Sequence, residues 1–102
     1  MARTAFEFVA ARLEQRTEFD SVEARGTVRL ALKEAGLDAR TVTASQIAVV
    51  VERLLPYELR SRGVAEGERI ARAILADLKG FRAADPEAPE SPEDVFRRLA
   101  GR

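Results

Sequence analysis

Residues 42–55 read VTASQIAVVVERLL, and this stretch decides the fold class of the chain. Thr43 and Gln46 have the spacing of a capping box, in which each side chain accepts a hydrogen bond from the backbone N–H of the other residue. Val42 and Ile47 stand at the two positions of a hydrophobic staple around the same helix start. Valine and isoleucine are also frequent in strands. The staple and the length of the stretch nevertheless predict a helix that begins directly after Thr43.

The predicted helix, 44–55, is apolar on nearly every side. Such a helix is typical of the buried centre of a helical domain. We therefore expect 44–55 to be the central helix of the fold. Pro56 follows it, and because proline disfavours helical geometry at the preceding residue, a new short helix is predicted over 56–62. This helix is predicted to stop at Gly63, with Val64 packing back against it. Tyr57 is predicted to be a packed or hydrogen-bonded corner residue, with partner contact as the alternative.

Signals for three further helices lie on both sides of this stretch. Capping-box spacings precede two of them, and a glycine followed by an apolar residue ends two, as at helix C-caps. They are predicted over 5–16 after Thr4 and Glu7, between Asp20 and Gly36, and over 65–79 with a stop at Gly80. Gly26, inside the second of these helices, predicts a close helix–helix contact. The chain is thus predicted to be all-α, a small bundle of about five helices over residues 1–81.

The composition changes after residue 81. Residues 82–91 contain aspartate, glutamate and proline, with alanine as the only apolar residue, which is typical of an extended acidic linker. Ser91 and Pro92 then have the order of a helix cap and first helical residue. We expect a short amphipathic C-terminal helix within 92–102.

This amphipathic segment is the predicted binding site for a partner. Its candidate contact residues are Val95, Phe96, Arg97 and Leu99. An amphipathic helix behind a linker can dock into a groove of another protein. Two alternatives are that the segment packs on its own bundle and that it is a frayed end without a role.

The absence of histidine and cysteine from all 102 residues removes most catalytic and metal-binding chemistry. No side chain has an ordinary pKa near neutrality, and neither a thiolate nucleophile nor a Cys/His zinc site can form. The glycines occur singly, so no phosphate-binding loop is present. The glutamates and aspartates near helix ends are expected to be solvated surface. We therefore expect no enzyme activity, no metal site and no cofactor.

The charge balance, 17 basic against 17 acidic residues, disfavours binding to nucleic acid. The alternative is a DNA-binding transcriptional regulator with a degenerate helix-turn-helix around Gly36. Two observations oppose it: the connection of about six residues is long, and the helix that should read bases has Arg53 as its only basic residue. An exposed row of Arg25, Arg29 and Arg40 would favour it.

The function predicted is thus a small, non-enzymatic protein–protein interaction or regulatory module whose partner is another protein. Phe8 and Leu30 lie outside the main apolar stripes of their helices, which predicts a homodimer. The longest apolar run, 47–51, is far shorter than the roughly 18 residues of a membrane span. We expect a cytoplasmic protein with no membrane partner. The preference for arginine over lysine points to a bacterial genome of high GC content.

Overall fold

The structure of the chain is a computed structural model that describes residues 3–84. All regular secondary structure in this range is helical. The helices are α1 (Ala5–Arg16), α2 (Ser21–Glu34), α3 (Ala44–Arg53), α4 (Leu55–Ser61) and α5 (Gly67–Ala84). The predicted all-α bundle of five helices is confirmed. The predicted C-terminal helix, 92–102, lies outside the described residues.

Two of the predicted capping boxes form in full. The Thr4 backbone N–H donates to Glu7 Oε1 over 3.0 Å, and the Glu7 backbone N–H donates to Thr4 Oγ1 over 3.1 Å. Thr43 and Gln46 repeat the arrangement at 3.0 and 3.1 Å. These bonds satisfy N–H groups that have no partner within the helix, so α1 and α3 start where the sequence predicts.

At the start of α2 the Asp20 carboxylate accepts a hydrogen bond of 2.8 Å from the Glu23 backbone N–H. The Glu23 carboxylate pairs with the Arg62 guanidinium, 3.4 Å away, at the end of α4. Asp20 therefore caps the helix as predicted, while Glu23 connects α2 to α4.

Two of the predicted glycine stops are confirmed. Gly36 and Gly63 have φ values of +76° and +84°, the left-handed region that glycine adopts without a steric penalty. After each, the next apolar residue donates its backbone N–H to a carbonyl of the last helical turn, Leu37 to Leu32 and Val64 to Leu59, both over 2.9 Å. This is the Schellman pattern of a helix C-terminus.

The stop predicted at Gly80 is wrong. Helix α5 continues to Ala84 and includes the first three residues of the predicted linker, 82–91; the remainder of that segment lies outside the described residues. Phe81 packs against Phe8 of α1 in a tilted arrangement, with ring centroids 4.6 Å apart and an interplanar angle of 32°. This tertiary contact favours a continued helix and offsets the cost of a glycine inside it, about 1 kcal/mol.

Helix α3 ends two residues earlier than predicted, and α4 begins one residue earlier than predicted. Leu54 donates the last backbone hydrogen bond of α3, to Val50 over 2.8 Å, and α4 begins at Leu55. Because Pro56 has no N–H, the hydrogen-bond ladder cannot continue past this point.

Helix α3 contacts each of the other four helices, but one side of it is open to solvent. Val50 and Val51 are 4% and 1% exposed, whereas Val49 is 53% exposed. The expectation that its apolar residues are buried all round is therefore wrong on this side. The largest fully buried side chains of the core are Leu13, Leu32, Ile47, Leu55, Leu59, Ile74 and Leu78.

The close helix–helix contact predicted at Gly26 occurs at a different glycine. A Cβ atom built on Gly26 would have no neighbour within 4 Å. A Cβ atom on Gly67, the first residue of α5, would lie 3.0 Å from the carbonyl oxygen of Pro56 and 3.2 Å from the Cβ of Leu59. Glycine at position 67 therefore allows α5 to start directly against α4.

Helices α1 and α5 are antiparallel. Phe8, early in α1, contacts Phe81, late in α5, while Arg16 at the end of α1 pairs with Asp77 over 2.9 Å. The C-terminal end of α5 consequently lies beside the start of α1.

Candidate functional site

A surface groove with a volume of about 780 Å³ lies along α2, between the start of α1 and the loop that connects α2 to α3. We call it the basic groove. Its charged lining residues are Arg25, Arg29, Lys33, Arg40, Glu7 and Asp38, and its large apolar ones are Phe6, Leu30 and Leu37. Four cations against two carboxylates give the groove a positive excess that the chain as a whole does not have.

Three of the cations form a row on α2. Arg25, Arg29 and Lys33 follow each other at intervals of four residues, so they lie on one face about 6 Å apart along the axis. The Gly36 stop then reverses the chain, and the following loop brings Arg40 to the same groove. A row of Arg25, Arg29 and Arg40 was named from the sequence as the observation that would favour DNA binding. The structure places these three residues in one groove.

The two carboxylates of the groove are held by local hydrogen bonds. The Thr4 backbone N–H and hydroxyl lower the pKa of Glu7, with smaller contributions from Arg25 and Arg3. The backbone N–H of Arg40, 2.7 Å from Asp38 Oδ1, lowers the pKa of that aspartate. Both acids are ionised at neutral pH, and both already have partners.

Apolar surface lies directly beside the cations. Leu30 is 40% exposed and Leu37 is half-buried. The Arg29 guanidinium lies 5.2 Å from the ring centroid of Phe6, a cation–π contact that holds it beside the apolar residues. Gly26 has no side chain and thus leaves the groove open one turn before Leu30. A ligand in the groove would meet cations and hydrophobic surface together.

The other predicted contact residues have different outcomes. Leu30 is exposed as predicted, but Phe8 is buried against Phe81 and contributes no exposed apolar surface, while the homodimer itself stays a prediction. Tyr57 is 74% exposed, and the prediction of a packed corner is wrong because α4 turns the ring outward. The predicted partner-binding residues Val95, Phe96, Arg97 and Leu99 lie outside the described residues.

The helix-turn-helix arrangement gains little support from the geometry. Nine residues separate α2 from α3, against about 3–4 in the motif. Arg53 is exposed at the C-terminal end of α3, whereas base contacts come chiefly from the N-terminal part of a recognition helix.

The carboxylates near helix ends are solvated surface, as predicted. Five of them, Glu14, Glu18, Asp20, Glu66 and Glu68, are exposed. Within residues 3–84 no group of three or more acidic, histidine or cysteine residues is placed to hold a metal ion.

Glu58 is a buried carboxyl group that the sequence did not single out. It is 8% exposed on α4, and burial, followed by the nearby Glu34 carboxylate, raises its pKa, while Arg62 acts in the opposite direction. Its position on the inner face of a short helix depends on where α4 begins, which the sequence placed one residue too late.

We expect Glu58→Gln to increase the free energy of unfolding at pH 7. A carboxyl group whose pKa is raised by folding binds its proton more tightly in the folded state, so it stabilises the fold at low pH and loses that contribution as the pH rises through the raised pKa. The gain from glutamine should therefore shrink as the pH is lowered to about 4. Thermal unfolding at several pH values measures it, with the exposed Glu14→Gln as control. A gain that stays constant with pH would contradict the prediction.

No protein-family model matches the chain, and neither a curated protein nor a solved structure matches it at a significant level. Among the described residues, none of the helices has both the length and the apolar character that crossing a membrane requires.

Proposed function

We propose that this chain is a small, non-enzymatic interaction module that binds an acidic, amphipathic segment of a partner protein in the basic groove. The observation that carries the proposal is the exposed Leu30 within a row of cations on α2. A purely cationic surface would suit any anion. Cations beside exposed apolar surface suit a ligand that carries both carboxylates and hydrophobic side chains.

Helix-in-groove binding is the recognition mode that fits these features. The row from Arg25 to Lys33 extends over about 12 Å, which equals roughly two turns of a bound helix. Carboxylates on one side of that helix would pair with the row. Its apolar residues would cover Leu30 and Leu37, which are left partly exposed.

Nucleic acid is the second candidate ligand, and the cation row supports it. Arg25, Arg29, Lys33 and Arg40 could contact successive phosphates, with an affinity that falls steeply with salt. This candidate assigns no role to Leu30, and the balanced charge of the chain opposes it. The two candidates therefore differ in whether binding depends on the Leu30 side chain.

Fluorescence anisotropy with two labelled probes tests the proposal. One probe is a synthetic 16-residue helical peptide with glutamate and leucine on one face, and the other is a DNA duplex of mixed sequence. We expect the peptide to bind, and Arg29→Glu and Leu30→Ser each to weaken it at least tenfold, equivalent to about 1.4 kcal/mol. Val22→Ser is the matched control, since Val22 is 79% exposed on the same helix but does not line the groove.

Other outcomes overturn the proposal. Tight, salt-dependent binding of the duplex that Leu30→Ser leaves unchanged, without binding of the peptide, would replace it by the nucleic-acid candidate. Binding of the peptide that none of the groove variants weakens would place the site elsewhere.

Several earlier expectations stay predictions alongside this proposal. They are a cytoplasmic location, a bacterial source, self-association, and partner contact through Val95, Phe96, Arg97 and Leu99. The exposed Leu30 would support self-association if a second copy of the chain, instead of a partner, occupied the basic groove.

A further inference from the structure

We infer that residues 85–102 of this same chain occupy the basic groove, so that a partner has to displace them. The inference rests on the proposed function of that groove as a site for acidic, amphipathic segments. It adds a ligand that is part of the chain, and thereby a means of regulating the site.

The end of α5 brings the segment to the groove. Ala84, the last residue of α5, lies about 4.5 Å along the axis beyond Phe81, which contacts Phe8. The groove includes Thr4, about 6 Å along α1 before Phe8. Because the two helices are antiparallel, Ala84 and Thr4 both lie on the same side of the Phe8–Phe81 contact along the helix axes. The chain therefore leaves α5 near the end of α1 that borders the groove.

The segment is long enough to reach the groove around α1. Phe6 faces Arg29 of α2 and Phe8 faces Phe81 of α5, so the groove and α5 lie on different sides of α1. A helix with its side chains is about 10–12 Å across. Residues 85–94 can span up to about 33 Å when extended, which exceeds the width of the helix.

Charge and hydrophobicity also match. Residues 85–94 contain five carboxylates and no cation: Asp85, Glu87, Glu90, Glu93 and Asp94. The groove presents four cations against two carboxylates. Arg40 pairs with Asp38 over 3.4 Å, and Glu7 is hydrogen-bonded to Thr4, so Arg25, Arg29 and Lys33 carry the positive excess. The apolar residues Val95, Phe96 and Leu99 follow the acidic ones in the sequence, at the spacing that one face of a helix would require. Such side chains could cover the apolar surface that Leu30 and Leu37 leave exposed.

A spin label on the tail of the full chain tests the inference directly. Since the chain has no cysteine, Ala100→Cys accepts a nitroxide label at one position. We expect the label to broaden the backbone amide NMR signals of Gly26, Leu30 and Ala39 strongly. The signal of Arg69, near the opposite end of α5, should keep its intensity. Adding Leu30→Ser or Arg29→Glu to the labelled chain should restore the groove signals, whereas Val22→Ser should not.

A competition measurement completes the test. Reversing two charges of the tail with Glu93→Lys and Asp94→Lys should raise the affinity of the full chain for the acidic peptide probe at least twofold. Equal broadening over the whole surface, or no broadening, would overturn the inference. Broadening that appears on an isotope-labelled chain mixed with a separate spin-labelled chain would assign the contact to a second copy and overturn it as well.

Failure of the inference and failure of the proposed function give different results. Peptide binding to the groove without tail contact leaves the function standing and removes the tail as ligand. Tail contact that the peptide cannot displace at any concentration removes the proposed partner site.

Discussion

Replacing Val51 with alanine is expected to lower the free energy of unfolding by about 2–3 kcal/mol, because the change removes buried methyl groups and leaves a cavity. Val51 is 1% exposed and faces the other helices. The same change at Val49, 53% exposed on the same helix, should leave stability unchanged or raise it by up to about 0.5 kcal/mol, since alanine has the higher helix propensity.

Urea denaturation followed by circular dichroism measures both variants. A domain of this size is expected to have a total stability of about 4–12 kcal/mol, so the loss at Val51 is a large fraction of it. The two substitutions delete the same atoms two residues apart, and only their orientation differs. Equal losses at the two positions would show that α3 is rotated relative to the structure described.

Replacing Gly67 with alanine is expected to lower the free energy of unfolding by about 1–3 kcal/mol through overpacking. The added Cβ would meet the Pro56 carbonyl oxygen at 3.0 Å, and a backbone atom cannot move aside as a flexible side chain can. Gly26→Ala is the matched control within α2. Because no atom lies within 4 Å of its Cβ position, it should raise stability by about 1 kcal/mol through helix propensity.

Thermal and urea unfolding of the two glycine variants give effects of opposite sign if the structure is right. A stabilising Gly67→Ala would mean that α4 and α5 are less closely packed than described. A destabilising Gly26→Ala would restore the helix contact that the sequence predicted there.

Local signals explain why so much of the fold was predictable. Thr4 with Glu7 and Thr43 with Gln46 cap their helices through hydrogen bonds within a few residues. Gly36 and Gly63 end helices through their own backbone conformation. Such signals do not depend on the rest of the molecule, so a single sequence carries them in full.

The errors arise where distant residues decide the outcome. The cost of Gly80 inside a helix is offset by the contact of Phe81 with Phe8, which is 73 positions away in the sequence. Nothing local distinguishes Val49 from Val50 and Val51, and only the placement of α1, α2, α4 and α5 determines which valine faces solvent.

The basic groove was partly readable from the sequence. The row considered from the sequence was Arg25, Arg29 and Arg40, and Lys33 was missed, although its spacing from Arg25 and Arg29 places it on the same helix face. That Arg40 joins the row depends on the path of the loop after Gly36, and that Phe6 lies beneath Arg29 depends on how α1 packs against α2. The charge pattern depends only on spacing within one helix, whereas the groove depends on how separate elements pack together.

The position of the α5 terminus beside the start of α1 has a consequence for how tightly any partner must bind. If residues 85–102 occupy the basic groove, as inferred above, the short connection to α5 holds them there at an effective concentration of about 1 mM. A tail with an intrinsic dissociation constant of about 1 mM would then fill the groove half of the time, and one of about 0.1 mM would weaken a partner roughly tenfold. Because the tether is permanent, dilution of the protein relieves none of this competition. The affinity threshold for partners would be set by the acidic residues of the tail, at the same value at every protein concentration.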